Sequence, residues 1–282
     1  MSSKARLLDQ QRRWAVSGGA VVDGRGYLPS VAENLFQPLS PRALHNFSQG
    51  SGSELLDTLS RPAKMKALHS SAALAVNVFD YWLERNADPI LTAMEISGKA
   101  ASIEFEAQFS TGLDGNPPNL DLGIRYPQGL VIGVESKFSE WLTPKAPNKE
   151  LFKPKYFQDA SELWASKGLA SSQALAREMY DGTSRFRYLD AAQLLKHALG
   201  LATQHPESFE LYYIYFDWPG VESTTHRLEI ERFGNIVCHD FRFHCKSYQD
   251  VFSRLIGTIG SEHALYMAYL RDRYFSTARG LN

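Results

Sequence analysis

Alternation of apolar and polar side chains marks three successive strands in the middle of the chain. In ASIEFEAQF, residues 101–109, every second side chain is apolar, which is typical of a strand with one buried face. A turn rich in Gly, Asn and Pro at 112–119 leads into a second strand at 120–126. The loop Pro127–Gln128–Gly129 then leads into a third strand at 130–138. The pattern predicts an antiparallel β-meander.

Two helical patterns flank this meander. Ser71 is a suitable N-cap for a helix that runs to about Arg85, and its apolar residues recur at the helical spacing. Asp190 is a suitable cap for a second helix that runs to about Thr203. The segment that follows, FELYYIYFDW at 209–218, is apolar throughout. Such a run is typical of a strand covered on both faces inside a sheet.

The ends of the chain are less regular. Residues 1–60 are rich in Gly, Ser and Pro and predict an irregular arm with one short helix, and residues 139–186 predict another irregular segment. We find no linker after residue 60, so residues 61–282 are expected to form a single domain. Its core is expected at about 70–218, with a C-terminal β/α extension at 219–282.

The C-terminal extension is expected to contain both kinds of element. Strands are predicted at 227–233 and near 236–243, and helices are predicted after the caps Ser247 and Ser261. The whole order is a helix, three strands, a helix, a strand and a β/α tail. It predicts an α/β fold in which helices flank a mixed β-sheet, made of the three-strand meander and further strands.

Composition narrows the class of protein without naming a function. Of 282 residues, 44% are hydrophobic and 22% are charged, and the formal net charge is −1, so a globular protein is expected. No run approaches the roughly 18 apolar residues of a membrane span, and the N-terminus lacks a signal-peptide pattern. With only two cysteines, we expect a cytoplasmic location. The near-neutral charge counts mildly against a nucleic-acid partner without excluding one.

The second and third strands carry the candidate chemistry. If the short loop closes with Tyr126 opposite Leu130, counting back along both strands puts Asp121 directly across from Glu135. Opposed carboxylates repel each other, so a fold that places them there must protonate one or hold a cation between them. Lys137 follows on the same strand face, where its ammonium can orient an attacking water or stabilise charge on a phosphate.

Asp121 followed by Glu135–Ser136–Lys137 resembles the active-site signature of the PD-(D/E)xK nuclease superfamily, which includes many restriction and repair nucleases. The resemblance covers about residues 70–218 and implies a restriction-endonuclease-like core with the element order predicted above. One departure is that Asn119–Leu120 stands where the family usually has Pro before the Asp. The bare pattern is short, so its specificity depends on the apolar strand and the hairpin register around it.

The resemblance also implies roles for individual residues. Asp121 and Glu135 would bind Mg²⁺, with Mn²⁺ as an alternative, and Lys137 would position the nucleophile or the phosphate. Some members add an acidic residue on the first strand, for which Glu106 is the candidate. Others place a glutamine on the following helix, for which Gln193 is the candidate. The implied activity is metal-dependent hydrolysis of DNA by an endonuclease.

Basic residues close to this motif in sequence are candidates for contacts with DNA phosphates. They are Lys145, Lys149, Lys153, Lys155, Arg185 and Arg187. A nuclease needs a source of positive potential, and no denser basic cluster occurs in the chain. The alternative is a solvated loop with buried aromatic neighbours. Cleavage of both strands would suggest a homodimer, although no residue pattern demonstrates one.

Other interpretations remain open. The segment 238–245 (CHDFRFHC) offers Cys and His ligands for zinc, but on a strand they would divide between two faces, so ordinary strand packing is favoured. A catalytically degenerate nucleic-acid-binding or structural protein of the same fold is one alternative to a nuclease. A hydrolase of another phosphate ester is the other.

Overall fold

A five-stranded mixed sheet forms the centre of the protein in a computed structural model. The structure describes residues 1–50, 54–146, 150–158, 162–206 and 208–275. The strands, in chain order and in sheet order, are β1 (Ser102–Gln108), β2 (Asn119–Arg125), β3 (Val131–Lys137), β4 (Phe209–Tyr215) and β5 (Arg242–Ser247). β1, β2 and β3 pair antiparallel, whereas β4 pairs parallel with both β3 and β5. The predicted α/β fold, with a meander inside a mixed sheet, is confirmed.

Helices cover both faces of this sheet. They are α1 (Ser3–Ser17), α2 (Pro41–Gln49), α3 (Ser71–Leu83), α4 (Asp88–Ala93), α5 (Ala170–Tyr180), α6 (Ala191–Gln204), α7 (Val221–Val237), α8 (Tyr248–Ile256) and α9 (Ala264–Leu270). On β3, Glu135 points towards α6 while its neighbour Ser136 contacts α8, so these two helices lie on opposite faces. No helix in the described ranges is both long and apolar enough to span a membrane.

The hairpin between β2 and β3 has the predicted loop and register. The amide of Tyr126 donates to the carbonyl of Leu130 over 2.9 Å, and Gly129 ends the loop at a φ of 91°. A glycine is suited to that left-handed conformation. Four main-chain pairs follow in the predicted register and end at Leu122–Val134. Asp121 and Glu135 are the next residues on the two strands.

Side-chain caps begin several helices, as the sequence indicates. The Asp190 carboxylate accepts from the amide of Gln193 at the start of α6, over 3.2 Å. Ser247 caps α8 in the same way. The cap of α3 is Ser70 rather than Ser71, which becomes the first helical residue. Because a cap fixes the first turn of its helix, Asp190 also fixes which side chains of α6 face the sheet.

The strand predicted at 227–233 is wrong, because these residues lie within α7. The buried side chains of that helix are Ser223, His226, Ile230, Phe233 and Val237. Their spacing of three and four residues is helical, and Leu228, which the strand interpretation would bury, is exposed. The strand predicted near 236–243 begins later, as β5. The segment 238–245 therefore consists of the turn that follows α7 and the first part of β5, rather than one strand.

Two regions predicted to be irregular contain helices. Residues 1–60 include α1 and α2, and the buried side chains of Leu7, Ala43 and Phe47 join the main core. Residues 139–186 include α5. In both regions Gly and Pro lie mainly between the helices. Because these residues are frequent there, the short amphipathic segments between them were interpreted as irregular. Near the C-terminus, Ser261 starts only a single 3₁₀ turn, and α9 begins at residue 264.

Two glycines let α6 lie close to the sheet above β3. A Cβ atom on Gly133 would be 2.9 Å from Leu201 Cδ1, and one on Gly200 would be 2.4 Å from the carbonyl oxygen of Phe109. Any larger side chain at Gly200 would push the helix away from backbone that cannot yield easily. The close approach brings His197, one turn before Gly200, against Glu135.

Candidate active site

The candidate acids lie where the main-chain ladder of the meander is interrupted. β1 and β2 pair on both sides of Glu106 and Asp121 but not at these two residues, which the register places opposite each other. On the other side of β2, the pairing with β3 stops one residue short of Asp121. The Asp121 carboxylate instead accepts a hydrogen bond from the backbone amide of Ser136, over 2.6 Å. Where the main-chain ladder is interrupted, the Asp121 carboxylate thus accepts a hydrogen bond from an amide of the neighbouring strand.

Glu135 is buried between two basic side chains. It is 2% exposed, and one of its oxygens pairs with the ammonium of Lys137, whose side chain is 16% exposed. Its other oxygen, Oε2, lies 3.0 Å from Nε2 of the buried His197. Oε2 lies close to His197 but forms no well-aligned hydrogen bond with any described residue. A buried carboxylate oxygen without a donor is costly, which makes this atom a candidate ligand.

Burial and the neighbouring charges shift the pKa values of Asp121, Glu135 and Lys137. Burial and the neighbouring charge of Glu135 raise the pKa of Asp121 well above its ordinary value. Burial alone would also raise the pKa of Glu135, but Lys137 and His197 lower it below its ordinary value. The pKa of Lys137 is raised, because the attraction of Glu135 and Asp121 outweighs burial, which would lower it. The two carboxyl groups therefore lose their protons over different pH ranges. This is expected for neighbouring carboxylates that cannot both be charged without a further cation.

His197 is a member of the site that the sequence did not predict. It follows Gln193 by four residues on α6, so the two side chains lie one above the other on the same helix face. The available signal was this spacing. It was obscured because a lone histidine within an apolar helix stripe is usually a packed core residue.

Gln193 lines an open cleft beside the buried acids. The cleft has a volume of about 440 Å³, and its walls include Lys137, Gln193, Lys145 and Tyr213. β4 supplies Tyr213, directly across from Glu135 in the parallel register. Lys137 therefore connects the buried carboxylates with the solvent-accessible space, where a substrate phosphate would have to lie.

Glu106 lies across from Asp121, but its carboxylate points elsewhere. Its backbone has a φ of 51°, and its Oε2 accepts from the side-chain amide of Asn119 over 2.5 Å. Burial raises the pKa of Glu106 above its ordinary value, although the hydrogen bond from Asn119 opposes the shift. Asn119, two residues before Asp121, thus holds Glu106. The role of Glu106 as a metal ligand stays a prediction.

The predicted basic residues fall into three groups. Lys145 pairs with Asp190 at 2.6 Å and lies in the wall of the cleft. Lys155 donates to the backbone carbonyl of Asp114. Lys153, Arg185 and Arg187 are exposed and form no ion pair with the described residues, whereas Lys149 lies outside the described residues.

The two carboxylates beside the cleft, Asp121 and Glu135, suit a hard divalent cation. Within the described ranges, no three His, Cys, Asp or Glu side chains converge as a complete metal site. Mg²⁺, however, is commonly bound through one or two carboxylates, with waters and substrate phosphates completing its shell. Asp121 and Glu135 offer two carboxylates, and the unpartnered Oε2 and the raised pKa of Asp121 both indicate a deficit of positive charge. These residues therefore fit Mg²⁺.

Comparison with protein families places almost the whole chain in one family. A family described as "Restriction Endonuclease associating with ARP" matches residues 9–275. Neither a search of curated proteins nor a search of solved structures gives a match. The matched residues contain the whole sheet, α6 and the cluster around Glu135. The chain belongs to this restriction endonuclease family and is related to the restriction-enzyme nucleases.

Proposed function

We propose that this protein is a Mg²⁺-dependent endodeoxyribonuclease whose catalytic residues are Asp121, Glu135 and Lys137. The observation that carries the proposal is a buried carboxylate and a half-buried one, with separated pKa values, beside a lysine that reaches an open cleft. Pairs of titratable groups with divergent pKa values are typical of catalytic sites. Membership of a restriction endonuclease family supports phosphodiester hydrolysis as the reaction.

Asp121 and Glu135 would hold the divalent cation. When bound, Mg²⁺ supplies positive charge that polarises a phosphate oxygen and promotes attack by water. The backbone amide of Ser136 orients Asp121, and His197 restricts the position of Glu135. Both carboxylates are thereby held before substrate arrives, which reduces the reorganisation that the reaction requires.

Lys137 would have two roles at different stages. Without a cation it is the counter-charge of Glu135, and its raised pKa keeps it protonated throughout the working pH range. With cation and substrate present, the same ammonium faces the cleft and stabilises the negative charge that develops on the phosphate. Gln193 lies in the same cleft, where its amide can hold the attacking water.

DNA is the proposed substrate, and the cleft provides cations for its backbone. Lys145 lies in the cleft wall, and the exposed Arg185 and Arg187 lie close to it in the adjoining surface. Since phosphate contacts dominate affinity for nucleic acids, these three side chains can supply positive potential despite the net charge of −1.

Cleavage of supercoiled plasmid tests this function directly. Wild type should nick or linearise plasmid with Mg²⁺ and lose the activity in EDTA, whereas Glu135→Ala should be inactive under both conditions. Glu231→Ala is the matched control, because Glu231 is an exposed residue of α7. Mg²⁺-independent cleavage, or an active Glu135→Ala protein, would overturn the proposal.

A hydrolase of smaller phosphate esters is the second candidate, favoured by the limited volume of the cleft, about 440 Å³. A chromogenic phosphodiester distinguishes the two functions. If the protein hydrolyses it with Mg²⁺ but leaves plasmid, linear duplex and single-stranded DNA intact, the smaller substrate class replaces DNA.

A further inference from the structure

A second pocket adjoins the proposed active-site cleft. It has a volume of about 760 Å³, and its lining includes Phe152, Tyr180, Phe186, Arg185 and Arg187. The two spaces share a wall formed by Pro144, Lys145 and Ala146. An extended molecule that places a phosphate at Lys137 can therefore reach this pocket.

The pocket combines an aromatic lining with a cationic edge. Phe152 and Phe186 are buried, while Tyr180, at the end of α5, is 43% exposed although it is a large aromatic side chain. Arg185 and Arg187 are exposed and form no ion pair within the described part of the chain. An exposed aromatic face beside unpaired guanidinium groups matches the two parts of a nucleotide, the base and its phosphate.

The loop that carries both arginines is held in place by its backbone. The Glu229 carboxylate of α7 accepts from the successive amides of Arg187, Tyr188 and Leu189. Arg232 of the same helix donates to the carbonyl oxygen of Arg185 over 3.1 Å. The loop is thus fixed mainly through its backbone. The Arg187 guanidinium lies over the ring of Tyr188, 5.3 Å from its centroid, but both arginines remain exposed to a ligand.

We infer that this pocket binds one unpaired nucleotide of the DNA strand, next to the phosphate that is cleaved. The base would stack on Tyr180, and its phosphates would pair with Arg185 and Arg187. In a paired duplex the bases are stacked inside the helix, so a base reaches the pocket only at a bulge, a flap or a single-stranded end, or by leaving the stack. This inference rests on the proposed nuclease function and specifies its substrate as DNA with an unpaired position.

Titration of fluorescent DNA tests the inference. The probe is a duplex with one bulged 2-aminopurine, compared with the same duplex fully paired, and protein is added in EDTA to prevent cleavage. Stacking on Tyr180 should quench the bulged base when wild type binds. Tyr180→Ala should remove the quenching and weaken binding of the bulged duplex by about 5- to 150-fold, the range of one base–aromatic stack, without weakening binding of the paired duplex.

Arg187→Ala should weaken binding of the bulged duplex, whereas Arg13→Ala should not, since Arg13 is an exposed residue of α1 that pairs only with Asp9 on the same helix. Equal melting temperatures of the variants establish that they are folded. If Tyr180→Ala retains both the quenching and the affinity, the pocket assignment is overturned, while Mg²⁺-dependent plasmid cleavage by wild type leaves the nuclease function standing. If wild type neither binds nor cleaves any of these DNAs, the function and the pocket assignment fall together.

Discussion

Two buried charges in this protein, those of Glu135 and Arg273, have very different surroundings. Arg273 is 0% exposed, yet neutral oxygens surround its guanidinium: it donates to the carbonyl oxygen and side chain of Asn34, to the Tyr269 hydroxyl and to Gln11. The ring of Trp14 lies over it, 4.4 Å from centroid to carbon. Glu135 is equally buried, but it keeps an oxygen without a hydrogen-bond donor and faces a second carboxylate whose pKa is shifted.

The difference separates a structural charge from a candidate catalytic one. The contacts of Arg273 join α1, the residues around Asn34 and the C-terminal turn, and its hydrogen-bonding capacity is used within the protein. The cluster around Glu135 is incompletely satisfied and lies beside an open cleft. A buried polar atom without a hydrogen-bond partner usually costs stability. Such an atom next to a cleft therefore indicates a ligand. The predictions below test this contrast.

The largest effect is expected for Lys137→Ala. Loss of the ammonium should lower the cleavage rate by about 10²–10³-fold, the range for one preorganised electrostatic contact. It should also destabilise the cation-free protein, because Glu135 is left buried without its partner, and Mg²⁺ should restore more stability to the variant than to wild type. Plasmid cleavage and thermal melting with and without Mg²⁺ measure both effects.

The control for this prediction is Lys99→Ala, because Lys99 is an exposed lysine. Full activity of Lys137→Ala would refute the proposed mechanism.

Arg273→Met should have the opposite profile. Several buried polar groups would lose their donor, so the free energy of unfolding should fall by about 2–5 kcal/mol, with no dependence on Mg²⁺. The activity of the folded fraction should remain unchanged at a temperature well below the transition. Denaturant titration provides the measurement. Arg271→Met is the matched control, since Arg271 is exposed and should tolerate the change. A catalytic defect in folded Arg273→Met protein would contradict the purely structural role given to Arg273.

His197→Leu tests whether the histidine positions Glu135. The change keeps an apolar helix face but removes the nitrogen 3.0 Å from Oε2. Loss of a residue that orients a metal ligand typically costs 10–100-fold in metal affinity or activity, so Mg²⁺ binding by calorimetry should weaken within this range. His197→Gln, which retains a donor, should recover part of the loss. Unaltered Mg²⁺ affinity in His197→Leu would reduce the histidine to a packing role.

The smallest effect on stability is expected from Asp121→Asn, and it depends on pH; as a proposed metal ligand, Asp121 should still be required for cleavage. Because the pKa of Asp121 is raised in the folded state, its contribution to stability is present below the unfolded pKa and is lost as pH rises through the folded pKa. In EDTA near neutral pH, Asp121→Asn should therefore be more stable than wild type, by about 0.5–2 kcal/mol. The difference should shrink in acid, where Asp121 is protonated. Melting curves across pH check this, and a variant that is less stable at neutral pH would contradict it.

Mg²⁺ should reverse that order. The cation relieves the repulsion between the carboxylates of wild type, whereas the amide of Asp121→Asn cannot supply the same charge. Wild type should therefore gain more stability from Mg²⁺ than the variant. Equal gains would place the cation elsewhere on the protein.

Local pattern was sufficient to predict the meander, the register of its hairpin and the helix capped by Asp190. Each depends on residues close together in sequence: the alternation in β1, the loop that ends at Gly129 and the cap itself. The failure at α7 has a related cause. Its segment also alternates over a few residues, and only the burial of every third and fourth side chain distinguishes a helix from a strand.

By itself, the sequence determined which strands carry Asp121, Glu135 and Lys137 and which residues oppose each other across the hairpin. A strand has a period of two and a short loop closes it in one register, so the chemistry of neighbours follows from counting. Only the tertiary structure decided that His197 lies against Glu135, that Glu106 points towards Asn119 and that a pocket adjoins the cleft. These depend on how closely α6 packs on the sheet and on an interrupted ladder. Both result from contacts between residues far apart in the chain, which no local pattern encodes.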